Sequence, residues 1–285
     1  MSSKIKYKIS DIQNLKNSKV PFCTITVYDY ASSLIVNNLD IPLVLVGDSA
    51  SMVIFGYVNT TRISVDELLF LTKAVNRGIN KALIVADLPF MSYQPSNGVA
   101  VENAGRFIKE GKADAVKLEG GIEYIDRVKN IVKAGIPVMG HIGLKPQSVL
   151  QESGYKIKGK TFESAKKIYQ DAIALQKAGV FSLVLECIPV ELAGIITAKL
   201  KIPTIGIGAG AKCDGQIQVF HDVVGAFKDS APKHAKKYLN SKHNICKAIE
   251  SYTKDVQNQL FPNQSNSVTM NENALAELKK ALENS

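Results

Sequence analysis

The chain has 285 residues, 46% hydrophobic and 21% charged; these globular proportions exclude global disorder and allow a large core without staples. Its four cysteines (Cys23, Cys187, Cys213 and Cys246) are scattered, which argues against a zinc cluster or a disulfide framework and fits a reducing, cytoplasmic setting. The net charge of +9 sits in two flanking segments, +4 over residues 1–19 and +5 over 228–247, and each segment holds a single aromatic (Tyr7, Tyr238), so the basicity reads as solvated lysine surface and not as a nucleic-acid face.

In chain order, the N-terminus (MSSKIK) has no apolar h-region, and the longest apolar runs, such as Ile41 to Val46, fall far short of a membrane span, so neither a signal peptide nor a membrane anchor is expected. Short apolar, β-branched runs then recur at Val20–Thr26, Leu43–Val46, Ala82–Ala86, Ala115–Leu118, Pro137–Met139, Leu183–Leu185, Thr204–Ile207 and Ile217–Phe220. Such runs fit strands of a parallel sheet buried on both faces. Helical patterns separate most of them. Ser64–Gly78 opens with a capping box (Ser64, Glu67) and closes on Gly; Thr161–Gly179 repeats that design; Pro189–Leu200 starts with Pro at a first helical position.

Eight strand starts between residues 20 and 217 give intervals of about 28 residues, the size of a βα unit. Eight such units point to an α/β fold, a TIM (β/α)8 barrel. A doubly wound open sheet is the other reading, weakened because no GxGxxG follows the first strand. Residues 144–160 (LKPQSVLQESGYKIKGK) interrupt the rhythm with a long polar loop, of a length that is usually functional or disordered. Residues 1–263 are thus expected to form a single catalytic barrel with a short N-terminal lead-in. Residues 264–285 follow as a C-terminal tail with a short helix over Glu272–Leu282.

In a parallel βα barrel the chemistry lies at the C-terminal ends of the strands. The second strand ends in Asp48 and Ser49, the third in Asp87, the fourth carries Lys117 and Glu119, the fifth His141 and the sixth Glu186. Lys117 and Glu119 are two apart and share one side of their strand; burial under the helices would be costly, which favours the lumen mouth. Asp48, Asp87 and Glu119 come from three consecutive strands. Their mutual repulsion in a low-dielectric site calls for a hard divalent cation, and all-oxygen donors favour Mg²⁺ over zinc. Against this stands helix capping, the commonest use of an Asp after a strand. Glu186 closes an apolar strand, and burial raises a carboxyl toward the useful range of a general base; a cap or an ion pair is the competing use. Lys117 suits a substrate carboxylate or a salt bridge to Glu119. His141 suits a pocket hydrogen-bond donor or an ordinary satisfied histidine. Gly206–Gly210 (GIGAG) permits close backbone approach to a ligand, though many tight βα turns look the same.

TVYDYASS (26–33), LVLVGDSASMVIFGY (43–57), ADLPFMSYQ (86–94), DAVKLEGG (114–121), AGIPVMGHIGLKPQS (134–148), GYKIKGKT (154–161), LVLECIPVELA (183–193) and IPTIGIGAGAKCDGQ (202–216) together resemble the ketopantoate hydroxymethyltransferase family from about Lys19 to Pro262. The resemblance implies a TIM barrel of the phosphoenolpyruvate/pyruvate type, assembled as a homodecamer in the cytoplasm. It implies Mg²⁺ held by Asp48, Asp87 and Glu119, substrate contacts at Asp48, Ser49, Asp87 and Lys117, and Glu186 as catalytic base; His141 is added from the strand-end reading. The implied reaction moves a one-carbon unit from 5,10-methylenetetrahydrofolate to 3-methyl-2-oxobutanoate through a Mg²⁺-stabilised enolate, giving 2-dehydropantoate for pantothenate and coenzyme A biosynthesis. Another Mg²⁺-dependent 2-oxo-acid lyase or mutase on the same barrel, and a non-catalytic basic binding protein, are the alternatives; small molecules, and neither nucleic acid nor membrane, are the expected partners.

Overall fold

A computed structural model describes residues 6–18, 20–227 and 232–284. Parts of both lysine-rich segments (1–5, 19 and 228–231) lie outside the described residues. The chain divides into two compact units, Met1–Tyr238 and Leu239–Ser285, whereas the sequence reading set its boundary between 263 and 264.

The first unit opens with α1 (Ile9–Leu15), then alternates: β1 (Phe22–Thr26), α2 (Tyr30–Asn37), β2 (Leu43–Val46), α3 (Ala50–Val53), α4 (Val65–Gly78), β3 (Leu83–Asp87), α5 (Asn97–Lys109), β4 (Ala115–Glu119), α6 (Ile125–Lys133), β5 (Val138–Gly143), α7 (Phe162–Ala178), β6 (Ser182–Glu186), α8 (Val190–Lys199), β7 (Thr204–Ile207), β8 (Gly215–Gln218) and α9 (Phe220–Val224). All neighbouring strands are parallel, and β8 pairs with β1 to close the barrel.

The helices start where local chemistry sets them. At α4 the Glu67 N–H donates to Ser64 Oγ at 3.2 Å while the Ser64 N–H donates to Glu67 Oε2 at 2.8 Å, the reciprocal capping box read from the sequence. Thr161 caps α7, which ends on Gly179 in the left-handed region. Pro189 stands one place earlier than expected, at the N-cap of α8.

Two elements differ from the sequence reading. The eighth strand is Gly215–Gln218, not Ile217–Phe220, because Gly215 pairs with Phe22 and the Phe220 N–H turns away to donate to Thr26 Oγ1 at 3.0 Å. That apolar run therefore joins the end of a strand to the start of α9. No α-helix separates β7 from β8, so the even spacing of strand starts averaged unequal units.

Strand alternation sorts the core into two layers. Val44, Val46, Ile84, Ala86, Val116, Leu118, Leu183 and Leu185 pack outward beneath the helices. Phe22, Leu43, Leu45, Leu83, Val85, Ala115, Met139, Val184 and Ile205 fill the lumen, joined by Ile12 of α1. Continuing the lumen parity toward the strand C-termini reaches Asp87, Lys117, Glu119, His141 and Glu186. The lumen is thus apolar at its base and ionisable at its mouth.

The second unit holds α10 (Ser241–Gln257) and α11 (Glu272–Glu283); neither carries a buried residue. Among the described residues no helix is long and apolar enough to cross a membrane.

Candidate active site

Register brings the ionisable groups together. Asp87 lies opposite Lys117 across β3–β4, Glu119 opposite His141 across β4–β5, and Glu186 opposite Gly143 across β5–β6. Asp48 follows β2 and joins them through its backbone, whose N–H donates to Asp87 Oδ2 at 2.9 Å. Lys117 Nζ donates to Asp87 Oδ1 at 2.6 Å. His141 stands between two acids, with Nε2 3.2 Å from Glu186 Oε2 and Nδ1 3.6 Å from Glu119 Oε1, although neither nitrogen is aligned for a hydrogen bond. Ser49 Oγ shares a hydrogen bond of 2.8 Å with the buried Tyr28 hydroxyl.

Helix capping does not account for these acids. Ser49 takes the N-cap position of α3 and Ser96 caps α5, while the oxygens of Asp48 and Asp87 accept from site residues instead. Asp29 shows the contrast: its side chain caps α2 through the Ser32 N–H. Lys117 pairs with Asp87, and not with Glu119 as its salt-bridge reading had it.

One residue of the site escaped the sequence reading. Gln147, buried in the segment after β5, donates its two amide hydrogens to Asp48 Oδ2 at 2.9 Å and the Leu88 carbonyl at 3.0 Å. Its Oε1 accepts from the Tyr93 hydroxyl at 2.9 Å and Gln94 Nε2 at 3.2 Å, and its backbone N–H donates to Glu119 Oε2 at 3.0 Å. Its only signal was its place in GLKPQS, at the start of an unusually long loop.

Burial and charge set the protonation states. Burial, then the Asp87 charge, push Asp48 up to about 7. The same two causes, burial and the charge of Asp48, hold Glu119 well above the usual carboxylate range. Burial pushes Glu186 up to about 7, with Lys117 and His234 pulling it back. Burial and the Lys117 charge hold His141 well below its ordinary value, so its imidazole is neutral. Burial alone would discharge Lys117, but Asp87, Glu119 and Asp48 outweigh it and keep the ammonium charged.

Three buried carboxyls and the partly buried Glu186 share one ammonium, so without a cation some of them hold protons, which a hard cation would displace. Among the described residues no three His, Cys, Asp or Glu side chains form a ready-made cage. Mg²⁺ keeps several waters and binds through one or two carboxylates plus substrate oxygens, so it requires no closed protein cage. Gln147 engages Asp48 Oδ2 and Glu119 Oε2, and the other oxygens, Asp48 Oδ1 and Glu119 Oε1, are hard donors of the kind such an ion takes.

The site opens into a cavity of about 1030 Å³. Besides the ionisable groups, Met52, Leu144, Pro146, Tyr155 and Ile157 line one wall, and Cys187, Gly208, Lys233 and His234 another. The 144–160 segment spans this mouth, tied down by the Leu144 N–H to the Glu186 carbonyl at 2.8 Å and by the Lys158 N–H to the Cys187 carbonyl at 3.3 Å. The glycine run after β7 contributes Gly208 and Gly210 to the lining, but a Cβ on Gly210 (φ +78°) would lie 2.4 Å from Val190 Cγ2; packing on α8 already demands that glycine.

Known proteins resemble this chain along nearly its whole length. The model of the family described as ketopantoate hydroxymethyltransferase matches residues 6–264. The 3-methyl-2-oxobutanoate hydroxymethyltransferase of Dehalococcoides mccartyi (strain CBDB1) is 51% identical over 274 residues, covering 96% of this chain and 98% of that protein. The protein of the same name from Acetivibrio thermocellus (strain ATCC 27405) is 49% identical over 256 residues, 90% of each chain. Among solved structures, a phosphonopyruvate hydrolase superposes with TM-score 0.58 at 10% identity, covering 97% of this chain and 96% of the other. A 2,3-dimethylmalate lyase, a PEP mutase/isocitrate lyase superfamily member, gives 0.57 at 13%, covering 98% and 94%. At such identities the likeness speaks to the fold alone, a TIM barrel.

Proposed function

The chain belongs to the ketopantoate hydroxymethyltransferase family, an enzyme family, and from that premise we propose that it transfers a hydroxymethyl group from 5,10-methylenetetrahydrofolate to 3-methyl-2-oxobutanoate, giving 2-dehydropantoate for pantothenate biosynthesis. The observation that carries this reading is the pairing of a buried carboxyl raised to about 7, Glu186, with a cluster of Asp48, Asp87, Glu119 and Lys117 across one lumen.

Asp48 and Asp87, with Glu119, would hold Mg²⁺. The ion supplies a Lewis acid for the two oxygens of a 2-oxo acid. Lys117 places a fixed positive charge at the substrate's carboxylate end, and Ser49, oriented by Tyr28, offers a hydroxyl beside it. Glu186 takes the proton from C3; a positioned base of matched pKa contributes on the order of 10²–10⁴-fold. Neutral His141, 3.2 Å from Glu186, adds no positive charge that would lower that base. Attack of C3 on the folate methylene carbon forms the new C–C bond as one C–N bond opens and that nitrogen takes the proton; water then displaces the second nitrogen, which takes the water's other proton, leaving the hydroxymethyl on C3 and releasing tetrahydrofolate. Orientation of two reactants carries much of the barrier, which suits a cavity far larger than the small oxo acid alone requires. The 144–160 segment excludes water from above.

Cytoplasmic location and a homodecamer follow the family resemblance. The assembly reading is supported by α10, whose Ile245, Ile249, Tyr252 and Val256 are all exposed in the single chain.

The test is proton exchange at C3 of 3-methyl-2-oxobutanoate in D₂O, followed by NMR with Mg²⁺, with EDTA and with Glu186→Gln. Exchange requiring both metal and Glu186, followed by transfer when methylenetetrahydrofolate is added, supports the proposal. Metal-dependent turnover of another 2-oxo acid without folate would instead support a lyase or mutase.

A further inference from the structure

We infer that Gln147 is a positioning residue that fixes which oxygens of Asp48 and Glu119 face the metal, a role resting on the metal reading above. Both amide hydrogens meet acceptors, Asp48 Oδ2 and the Leu88 carbonyl, and the amide oxygen meets Gln94 Nε2 and the Tyr93 hydroxyl, whose single hydrogen it shares with the Glu119 carbonyl at 2.9 Å. The Leu88 carbonyl can never donate, nor can Asp48 as an ionised metal ligand, so turning the amide over would set oxygen against oxygen. The orientation is therefore determined by its surroundings.

A glutamate of the same length would face Asp48 with a second carboxylate, and an asparagine is one methylene too short to serve both sides. Only an amide of this length satisfies all four partners, and it does so at 4% exposure, where an unmet polar group is costly.

The consequence falls on the carboxylates. Gln147 takes one oxygen of Asp48 with its side chain and one of Glu119 with its backbone N–H, while Lys117 and the Asp48 N–H take both of Asp87. One oxygen on each of Asp48 and Glu119 is left for the ion. Such outer partners set ligand orientation, and their loss typically costs about 10–100-fold in metal affinity. Gln147 also lies near the start of the 144–160 segment, so one residue links that segment to Asp48 through its side chain and to Glu119 through its backbone.

The experiment measures Mn²⁺ dissociation constants by electron paramagnetic resonance on the full chain, with circular dichroism and thermal unfolding of the metal-free proteins alongside. Gln147→Met keeps the shape and the backbone N–H but removes the amide. It is expected to weaken Mn²⁺ about 10–100-fold and to broaden the bound-ion spectrum. Gln94→Leu removes one donor that orients the amide and touches no carboxylate; it is expected to weaken Mn²⁺ in the same direction by less. A merely structural Gln147 would lower the melting temperature and leave the dissociation constant unchanged, which would overturn the inference. If Gln147→Met fails to fold, Gln94→Leu decides, and an unchanged constant there overturns it. A wild type that binds no Mn²⁺ would overturn the metal reading itself, an outcome visible before any variant is made.

Discussion

Lys117 Nζ lies 2.6 Å from Asp87 Oδ1, with the two side chains 5% and 2% exposed. Register places them directly opposite on β4 and β3, so neither needs to reach. Removing one member of such a pair leaves an uncompensated buried charge, a loss of about 3–5 kcal/mol. Lys117→Met is expected to destabilise the protein by that amount in urea unfolding, since Asp48, Asp87 and Glu119 then share the lumen without their counter-charge. Mg²⁺ should restore part of the loss, because it substitutes for the missing positive charge; stability indifferent to Lys117→Met would show that the pair contributes nothing.

The pH dependence of the reaction should report Glu186. A base must be ionised to accept a proton, and burial pushes this one up to about 7. With saturating Mg²⁺, whose charge pulls the carboxyl down, kcat/KM is therefore expected to rise along an acid limb with its midpoint no higher than about pH 7 and to fall about tenfold per unit below it. Glu186→Gln should lower the rate by on the order of 10²–10⁴-fold and flatten that limb. An acid limb surviving at the same midpoint in the variant would assign it to another group.

Much of this cluster is legible in the sequence, and the reason is geometric. Residues at the C-terminal end of a barrel strand lie near the mouth, and parity selects those facing the lumen, so Asp87, Glu119, His141 and Glu186 could be placed by counting from apolar runs. Lys117 and Glu119 shared a side by parity alone. What parity could not give was partnership: Lys117 pairs across the strand with Asp87 rather than along its own strand, because register, which the sequence does not state, decides it. Gln147 was hidden for a different reason. It sits in a loop whose path no periodicity constrains, and a neutral amide carries no charge to mark it. The eighth strand slipped because an apolar run signals burial, not whether the backbone continues extended or turns into a helix.

The metal-free protein should lose stability as pH rises. Asp48 and Glu186 are both raised to about 7 in the folded chain from ordinary values of 3.8 and 4.5. Between those limits the native state holds protons that the unfolded state has released, so stability is complete below about 4 and is lost as pH climbs through about 7. Thermal unfolding in EDTA is expected to show a lower midpoint at pH 8 than the same groups allow at pH 5. Asp48→Asn with Glu186→Gln should remove that component of the slope, and Mg²⁺ should restore stability at pH 8 more than at pH 5. A slope identical in wild type and double variant would sink this account.

Gly143 is where the fold holds the base in place. Its φ is +102°, and a Cβ there would lie 2.2 Å from the Glu186 backbone oxygen and 2.9 Å from Ile188 Cγ2. The next residue, Leu144, donates its N–H to that same Glu186 carbonyl at 2.8 Å. Gly143→Ala must therefore move the end of β6 as well as strain its own backbone, at a cost on the order of 1–3 kcal/mol for the strain alone. Gly135 provides the control, since its φ is +85° and no atom lies within 4 Å of a Cβ built there. Gly135→Ala should lower the melting temperature through backbone strain and leave kcat intact. Gly143→Ala should lower both. Equal kcat in the two variants would mean that Glu186 is not held by this approach of β5 to β6.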